Sequence, residues 1–198
     1  MIKRAFDIMV ASIGLLLLSP LFIVVLILIK LDSRGPGFYR APRVGKDGRL
    51  FWMYKFRTMV AGADRIGPIV TYRDDPRITR LGAKLRQKRL DELPQLINVL
   101  KGEMSLVGPR PESPEYVDRY TPEQQEILKA KPGVTGPMQI AFLDEEEHLS
   151  NPATLDDEYM TVILPPKLAV EMEYIRKQSL VYDCQILVQT AKMLLLGN

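Results

Sequence analysis

The pattern of apolar and polar positions divides the chain in two. From Ile8 to Ile29 no charged residue occurs. Read as helix, that run of about 22 residues rises roughly 33 Å, enough to cross the hydrocarbon of a bilayer. It is long for a cleavable signal peptide, and no small-residue cleavage site follows it. Ser19-Pro20 falls inside the run. Proline removes one helical hydrogen bond, so a kink is expected there, with Ser19 placed to satisfy the freed carbonyl. Two topologies compete. A kinked spanning helix is the simpler expectation on physical grounds, since proline is tolerated in such helices. A re-entrant hairpin is favoured by charge: Lys3 and Arg4 precede the run and Lys30, Arg34, Arg40 and Arg43 follow it, which suits one cytoplasmic face. In either case the heavier downstream charge puts the rest of the chain in the cytoplasm.

Beyond the run, apolar positions come in short, interrupted groups. Arg34-Gly-Pro-Gly37 ends the helix. Phe38-Tyr-Arg40 and Leu50–Phe56 read as strands joined by a turn at Lys46-Asp-Gly-Arg49, and period two puts Lys55 and Arg57 on one face. Asp74-Asp-Pro-Arg77 reads as a turn leading into a helix from Thr79 to Arg89. Its Arg80, Lys84, Arg86, Lys88 and Arg89 form either a solvated face or a surface for phosphate or anionic headgroups. A helix is expected from Pro94 to Lys101-Gly102 and another from Thr121 through Lys129. Lys131–Gly136 reads as a loop. Leu155–Ile163 and Leu168–Lys177 read as helices with Pro165-Pro166 between them. In the last helix Leu180, Cys184, Leu187, Ala191 and Leu194 keep helical spacing. This stripe suits the core or a membrane surface; the core is the expectation, except for Met193–Leu196.

Composition adds limits. A chain of 198 residues suits one domain with a real core. Apolar residues make up 46%, but much of that weight lies in the N-terminal run. A net charge of +3 is too small to argue for nucleic acid. The single cysteine, Cys184, excludes an internal disulfide, and no Cys/His cluster is present to hold zinc. With His148 the sole histidine, acid–base chemistry must rest mainly on carboxylates.

The candidate chemistry sits in the middle of the chain. Asp91 and Glu92 lie just before the helix that Pro94 opens, where a helix N-terminus favours anions. A carboxylate there can serve as nucleophile or magnesium ligand, and its neighbour as general base; the plainer reading is that both are helix caps. Gly108-Pro-Arg-Pro111 presents Arg110 from stiff backbone, as an ordinary turn or as a planar fork for phosphate. Pro132-Gly-Val-Thr-Gly136 is either a simple turn or a set of N–H groups for phosphate. No Walker-type or dinucleotide glycine motif occurs, so ATP hydrolysis and NAD chemistry have no support.

Taken in order, Lys55-Phe-Arg-Thr-Met59, Asp74-Asp-Pro-Arg-Ile-Thr79, Leu90-Asp-Glu-Leu-Pro-Gln-Leu96, Asn98-Val-Leu-Lys-Gly102, Met104-Ser-Leu-Val-Gly-Pro-Arg-Pro111 and Lys131-Pro-Gly-Val-Thr-Gly136 closely resemble the bacterial sugar transferases, the monotopic phosphoglycosyl transferases. The resemblance runs from Lys3-Arg-Ala-Phe-Asp7 through Ser19-Pro20 to Tyr174, Ser179-Leu180 and Asp183, as a minimal catalytic unit. It implies an α+β fold, mostly helical. Residues 1–33 would form a re-entrant membrane helix broken at Ser19-Pro20, reversing the topology expected above. Residues 34–198 would form a cytosolic catalytic domain with a small β element and membrane-surface helices. It implies transfer of a sugar 1-phosphate from a UDP-sugar to a polyprenol phosphate such as undecaprenyl phosphate, releasing UMP. Asp91 would be the nucleophile and a ligand of Mg²⁺, with Glu92 assisting the lipid phosphate. Lys55, Arg86 and Arg110 match positions near the phosphates, and Pro132, Gly133, Thr135 and Gly136 the nucleotide-sugar loop. The setting implied is the cytoplasmic face of a bacterial inner membrane and its lipids, in a glycan pathway. Downstream glycosyltransferases and further copies of the chain are candidate protein partners.

One departure stands out. Many members continue after this loop with Gln, an apolar residue and Asn-Gly-Arg. Here Gln139 is followed by Ile140-Ala-Phe-Leu143 and the acidic Asp144-Glu-Glu-Glu147, so the arginine associated with substrate is missing. Two other readings remain: a membrane-bound magnesium-dependent phosphohydrolase, and a non-catalytic membrane scaffold.

Overall fold

The computed structural model describes residues 2–142 and 154–196. The acidic cluster Asp144–Glu147 and His148 lie outside them. The described chain is mostly helical, with two small two-stranded sheets.

Helix α1, Ile2–Asp32, runs through Pro20. The Ser19 hydroxyl donates to the Leu16 carbonyl at 2.8 Å, the group whose usual partner would be the N–H that Pro20 lacks. Along the first half, Asp7 is buried and accepts from the Ser105 hydroxyl at 2.8 Å and the Leu106 N–H at 3.2 Å. Lys3 pairs with Asp183, and Arg4 donates to the Val99 and Leu100 carbonyls at 2.6 and 3.0 Å. Along the second half, Val25 and Ile29 pack with Phe56 and Leu85. Between these contacts large side chains stand in the open, Leu16 and Leu17 being 74% and 73% exposed.

Strands β1, Phe38–Val44, and β2, Leu50–Phe56, form an antiparallel hairpin. A two-stranded hairpin is marginal alone, and here the free edge of β2 is closed by a side chain. Asn98, fully buried, accepts from the Tyr54 N–H at 2.9 Å and donates to the Trp52 carbonyl at 2.8 Å. Arg57 does not share the Lys55 face. The chain leaves β2 at Phe56, and the Arg57 guanidinium turns back to the end of α1, donating to the Ser33 and Arg34 carbonyls at 2.7 and 2.9 Å.

Helix α2, Arg80–Gln87, is capped by Thr79, whose side chain accepts from the Gly82 N–H. Helix α3, Gln95–Lys101, follows Pro94 and ends at Gly102 in the left-handed region, as the proline and glycine predict. Strand β3, Ser105–Val107, pairs in parallel with β4, Gly133–Thr135. The expected loop at Lys131–Gly136 therefore contains a strand. A Cβ on Gly133 would collide with the Gly108 backbone, so glycine serves close approach of two chains.

Short helices α4, Pro114–Val117, and α5, Pro137–Ala141, flank a 3-10 stretch at Gln124–Lys129, where a longer α-helix was expected. The two helices expected on either side of Pro165-Pro166 form one continuous helical run. Helix α6, Leu155–Glu158, passes through a π turn at Tyr159–Ile163 into α7, Leu164–Lys177. The prolines occupy the first turn of α7, where their missing N–H groups cost least.

Helix α8, Leu180–Leu196, is turned from the expected stripe, of whose five positions only Leu187 packs against the core. Asp183 and Ile186 are buried, while Leu180, Val181, Cys184, Val188, Ala191 and Leu194 are exposed. The reason is polar: Asp183 is drawn inward by Lys3 and by the Tyr174 hydroxyl, which donates at 2.6 Å.

Candidate active site

Asp91 and Glu92 sit in a 3-10 turn, Leu90–Glu92, entered through Arg89 in the left-handed region and left through Pro94 into α3. Both are buried. Neither caps α3, whose N-cap makes no side-chain hydrogen bond; the capping reading is overturned.

Their environments differ. Glu92 is gripped. Lys55 donates to its Oε1 at 2.7 Å, and Arg110 to Oε1 at 2.8 Å and Oε2 at 3.3 Å. Burial alone would raise the Glu92 carboxyl, but the charges of Arg110 and Lys55 outweigh it and hold the group well below the usual range. Asp91 makes no hydrogen bond or ion pair among the described residues. Burial raises its carboxyl, with the Glu92 charge adding and Lys55, Arg86 and Arg110 opposing. Lys55 is lowered by burial, against the pull of Glu92.

Three elements deliver the cations. Lys55 comes from β2, which Asn98 ties to the helix that follows the dyad. Arg86 comes from α2, its Nε donating to the Thr58 hydroxyl at 3.0 Å. Arg110 comes from the Pro109-Arg-Pro111 turn after β3. The arrangement is a basic wall around one committed carboxylate and one uncommitted among the described residues, suited to holding a phosphate beside Asp91.

Magnesium suits such a place. It takes one or two carboxylates together with water and substrate phosphates, and needs no all-protein cage. Among the described residues no group of three or more His, Cys, Asp or Glu is placed to hold a metal. Asp91, with its carboxylate unclaimed, is the side chain that fits.

The Pro132–Gly136 segment joins the site through backbone. The Gly133 N–H donates to the Pro109 carbonyl at 2.8 Å, and the Gly108 N–H to the Thr135 carbonyl at 3.0 Å. The Gly133 N–H is thus taken, and the Thr135 hydroxyl lies 2.8 Å from that of Thr190. Ser19 and Pro20 lie in the exposed middle of α1, apart from the dyad. Gln139 is buried, with both amide atoms unpartnered among the described residues.

Sequence reasoning missed a second group beside the site. Tyr159 donates to Glu112 Oε1 at 2.7 Å, Lys167 lies 3.5 Å from the same oxygen, and Glu171 accepts the Arg110 N–H at 2.8 Å. Lys167 and Glu171 are four residues apart on α7, a spacing found on any charged helix, so no local signal marked them.

Comparison with known proteins gives the family. The family model for bacterial sugar transferases matches residues 1–197, and the chain belongs to that family. The exopolysaccharide production protein ExoY of Rhizobium meliloti is 37% identical over 205 residues, covering 96% of this chain and 84% of its own. The UDP-glucose:undecaprenyl-phosphate glucose-1-phosphate transferase of Caulobacter vibrioides is 36% identical over 196 residues, covering 98% of this chain and 69% of its own. The undecaprenyl-phosphate glucose phosphotransferase of Komagataeibacter xylinus is 40% identical over 205 residues, covering 96% of this chain and 35% of its own.

Proposed function

We propose that this transferase moves a sugar 1-phosphate from a UDP-sugar to undecaprenyl phosphate through a covalent phosphosugar on Asp91. The observation that carries the reading is the unequal dyad: Glu92 held by Lys55 and Arg110, Asp91 buried and without a side-chain partner among the described residues. An Asp91 carboxylate oxygen attacks the sugar-linked phosphorus, the bond from that phosphorus to the bridging oxygen breaks, and UMP departs with the bridging oxygen. An oxygen of the lipid phosphate then attacks the same phosphorus, frees Asp91 and leaves a sugar diphosphate on the polyprenol. Glu92, ionised and anchored, fixes Lys55 and Arg110 where the phosphates arrive and helps the second attack. Asp91 would hold Mg²⁺ together with substrate phosphates; bound there, the ion supplies charge neutralisation at the pyrophosphate.

The contacts of α1 support a topology as well. As a straight rod it would be about 46 Å long. Yet its first half is fastened through Asp7, Lys3 and Arg4, and its second half through Val25, Ile29 and Arg57, all to one folded body. A helix spanning the bilayer would carry its ends to opposite faces. Two anchored ends and an exposed apolar middle support a re-entrant element over residues 1–33, turning at Ser19-Pro20, with residues 34–198 on the cytoplasmic face of the inner membrane. The exposed apolar face of α8 would rest on the same surface. The step would open a lipid-linked glycan pathway such as exopolysaccharide or capsule.

The test is intact-protein mass after purified protein meets Mg²⁺ and a panel of UDP-sugars without acceptor. A gain of one sugar phosphate is expected with one donor, naming the sugar. No gain, in protein that turns over once undecaprenyl phosphate is added, would point to direct transfer instead.

A further inference from the structure

Arg110 stands between Pro109 and Pro111, and neither proline has an N–H to donate. The arginine N–H is therefore the one backbone donor of the tripeptide, and its partner is a side chain: Glu171 Oε1 on α7, at 2.8 Å. Glu171 is 3% exposed, and its other oxygen, Oε2, is buried without a partner among the described residues. Burying a carboxylate that satisfies one bond and leaves an oxygen bare is costly. The fold tolerates it beside the residue that grips Glu92. One turn earlier on α7, Lys167 reaches Glu112 on the far side of the same turn. Helix α7 thus holds the Pro-Arg-Pro segment at two points.

We infer that Glu171 is a positioning residue of the transferase: by fixing the Arg110 backbone it aims the guanidinium at Glu92 and at the arriving phosphate. This rests on the function proposed above. Its own content is a coupling between α7 and Arg110 that core packing alone would not create. The groups facing Glu171 are Arg110, Lys167, Glu112, Tyr120 and Tyr174. Burial, the largest influence, pushes its carboxyl up to about 7, against the Arg110 N–H and the Lys167 and Arg110 charges.

The test is a double-mutant cycle on the full chain. Glu171→Met keeps volume and removes the acceptor; Glu171→Gln keeps a carbonyl acceptor. Glu171→Met should lower kcat by about 30-fold or more with KM changed less than about 3-fold, and Glu171→Gln should restore most of the rate. In an Arg110→Ala background, Glu171→Met should cost almost nothing further. Full activity in Glu171→Met, or a loss that simply multiplies that of Arg110→Ala, would overturn the inference. Should Glu171→Met not fold, Glu171→Asp withdraws the acceptor by one methylene and takes its place. A readout independent of turnover separates this idea from the proposed reaction: phenylglyoxal modification of Arg110, followed by peptide mass. It should quicken several-fold in Glu171→Met and not in Glu171→Gln. Unchanged reactivity would sink the inference even if the reaction stands; quickened reactivity in a protein that transfers no sugar phosphate would uphold it and discard the reaction.

Discussion

The two sides of this molecule break opposite rules of a soluble protein. Along α1 and the outer face of α8, large apolar residues stand exposed, Leu31 at 79% and Val181 at 70%. Around the dyad, charges are buried: Asp91, Glu92, Glu171 and Lys167 are all below 10% exposure. Each violation is costly in isolation, and each points to what completes it. Exposed hydrocarbon is completed by lipid; a buried carboxylate ringed by cationic side chains is completed by phosphate. On the proposed reaction a lipid-linked phosphate would meet both sides at once, which would account for an apolar element and an ion cluster sharing one small body.

The comparison can be broken most forcefully on the charged side. Lys55→Met leaves Glu92 buried with one cation instead of two. Turnover should fall at least about 100-fold, and stability by about 1–3 kcal/mol. Near-normal rates would mean that the cluster is structural only. On the apolar side, Ile2→Cys and Asp47→Cys, made separately with Cys184→Ser, should both react with an impermeant maleimide from the cytoplasmic side alone. Opposite accessibility would restore the spanning helix.

Two finer tests follow. The Glu171 carboxyl is raised to about 7 in the fold from an ordinary 4.5, so the native state binds the proton more tightly than the unfolded chain. Its stabilisation is complete below about pH 4.5 and lost as pH rises through about 7. The span corresponds to roughly 3 kcal/mol. Glu171→Gln should flatten that fall in denaturation midpoints measured between pH 5 and 8; an unchanged slope would assign it elsewhere. The smallest effect is optical. An environment-sensitive dye on the exposed native Cys184 should shift modestly to the blue in vesicles and be quenched by brominated lipid. A dye that reports water throughout would lift α8 off the surface.

How much was legible in the sequence depended on whether the cause was local. Thr79, Pro94 and Gly102 mark helix ends by short-range chemistry, and those boundaries stand. Asp91, Glu92, Lys55 and Arg110 were legible through motif order, and the fold brings Lys55 and Arg110 onto Glu92. Where the cause lay far along the chain, pattern failed. Residues Gly133–Thr135 are too few to show a period, and their partner strand is Ser105–Val107. The stripe on α8 read as core because nothing nearby tells that Asp183 will meet Lys3, at the opposite end of the chain. Arg57 left the Lys55 face because its guanidinium is taken by the Ser33 and Arg34 carbonyls just past the end of α1.

The central claim is that the two carboxylates have different work, and one mass measurement addresses it directly. Wild type, Asp91→Asn and Glu92→Gln are each mixed with Mg²⁺ and the accepted UDP-sugar, without lipid phosphate. The account predicts a sugar-phosphate adduct on wild type, none on Asp91→Asn, and an adduct on Glu92→Gln that forms more slowly but is discharged slowly when undecaprenyl phosphate is added. An adduct on Asp91→Asn, or one that maps to Glu92 in the wild type, would contradict it.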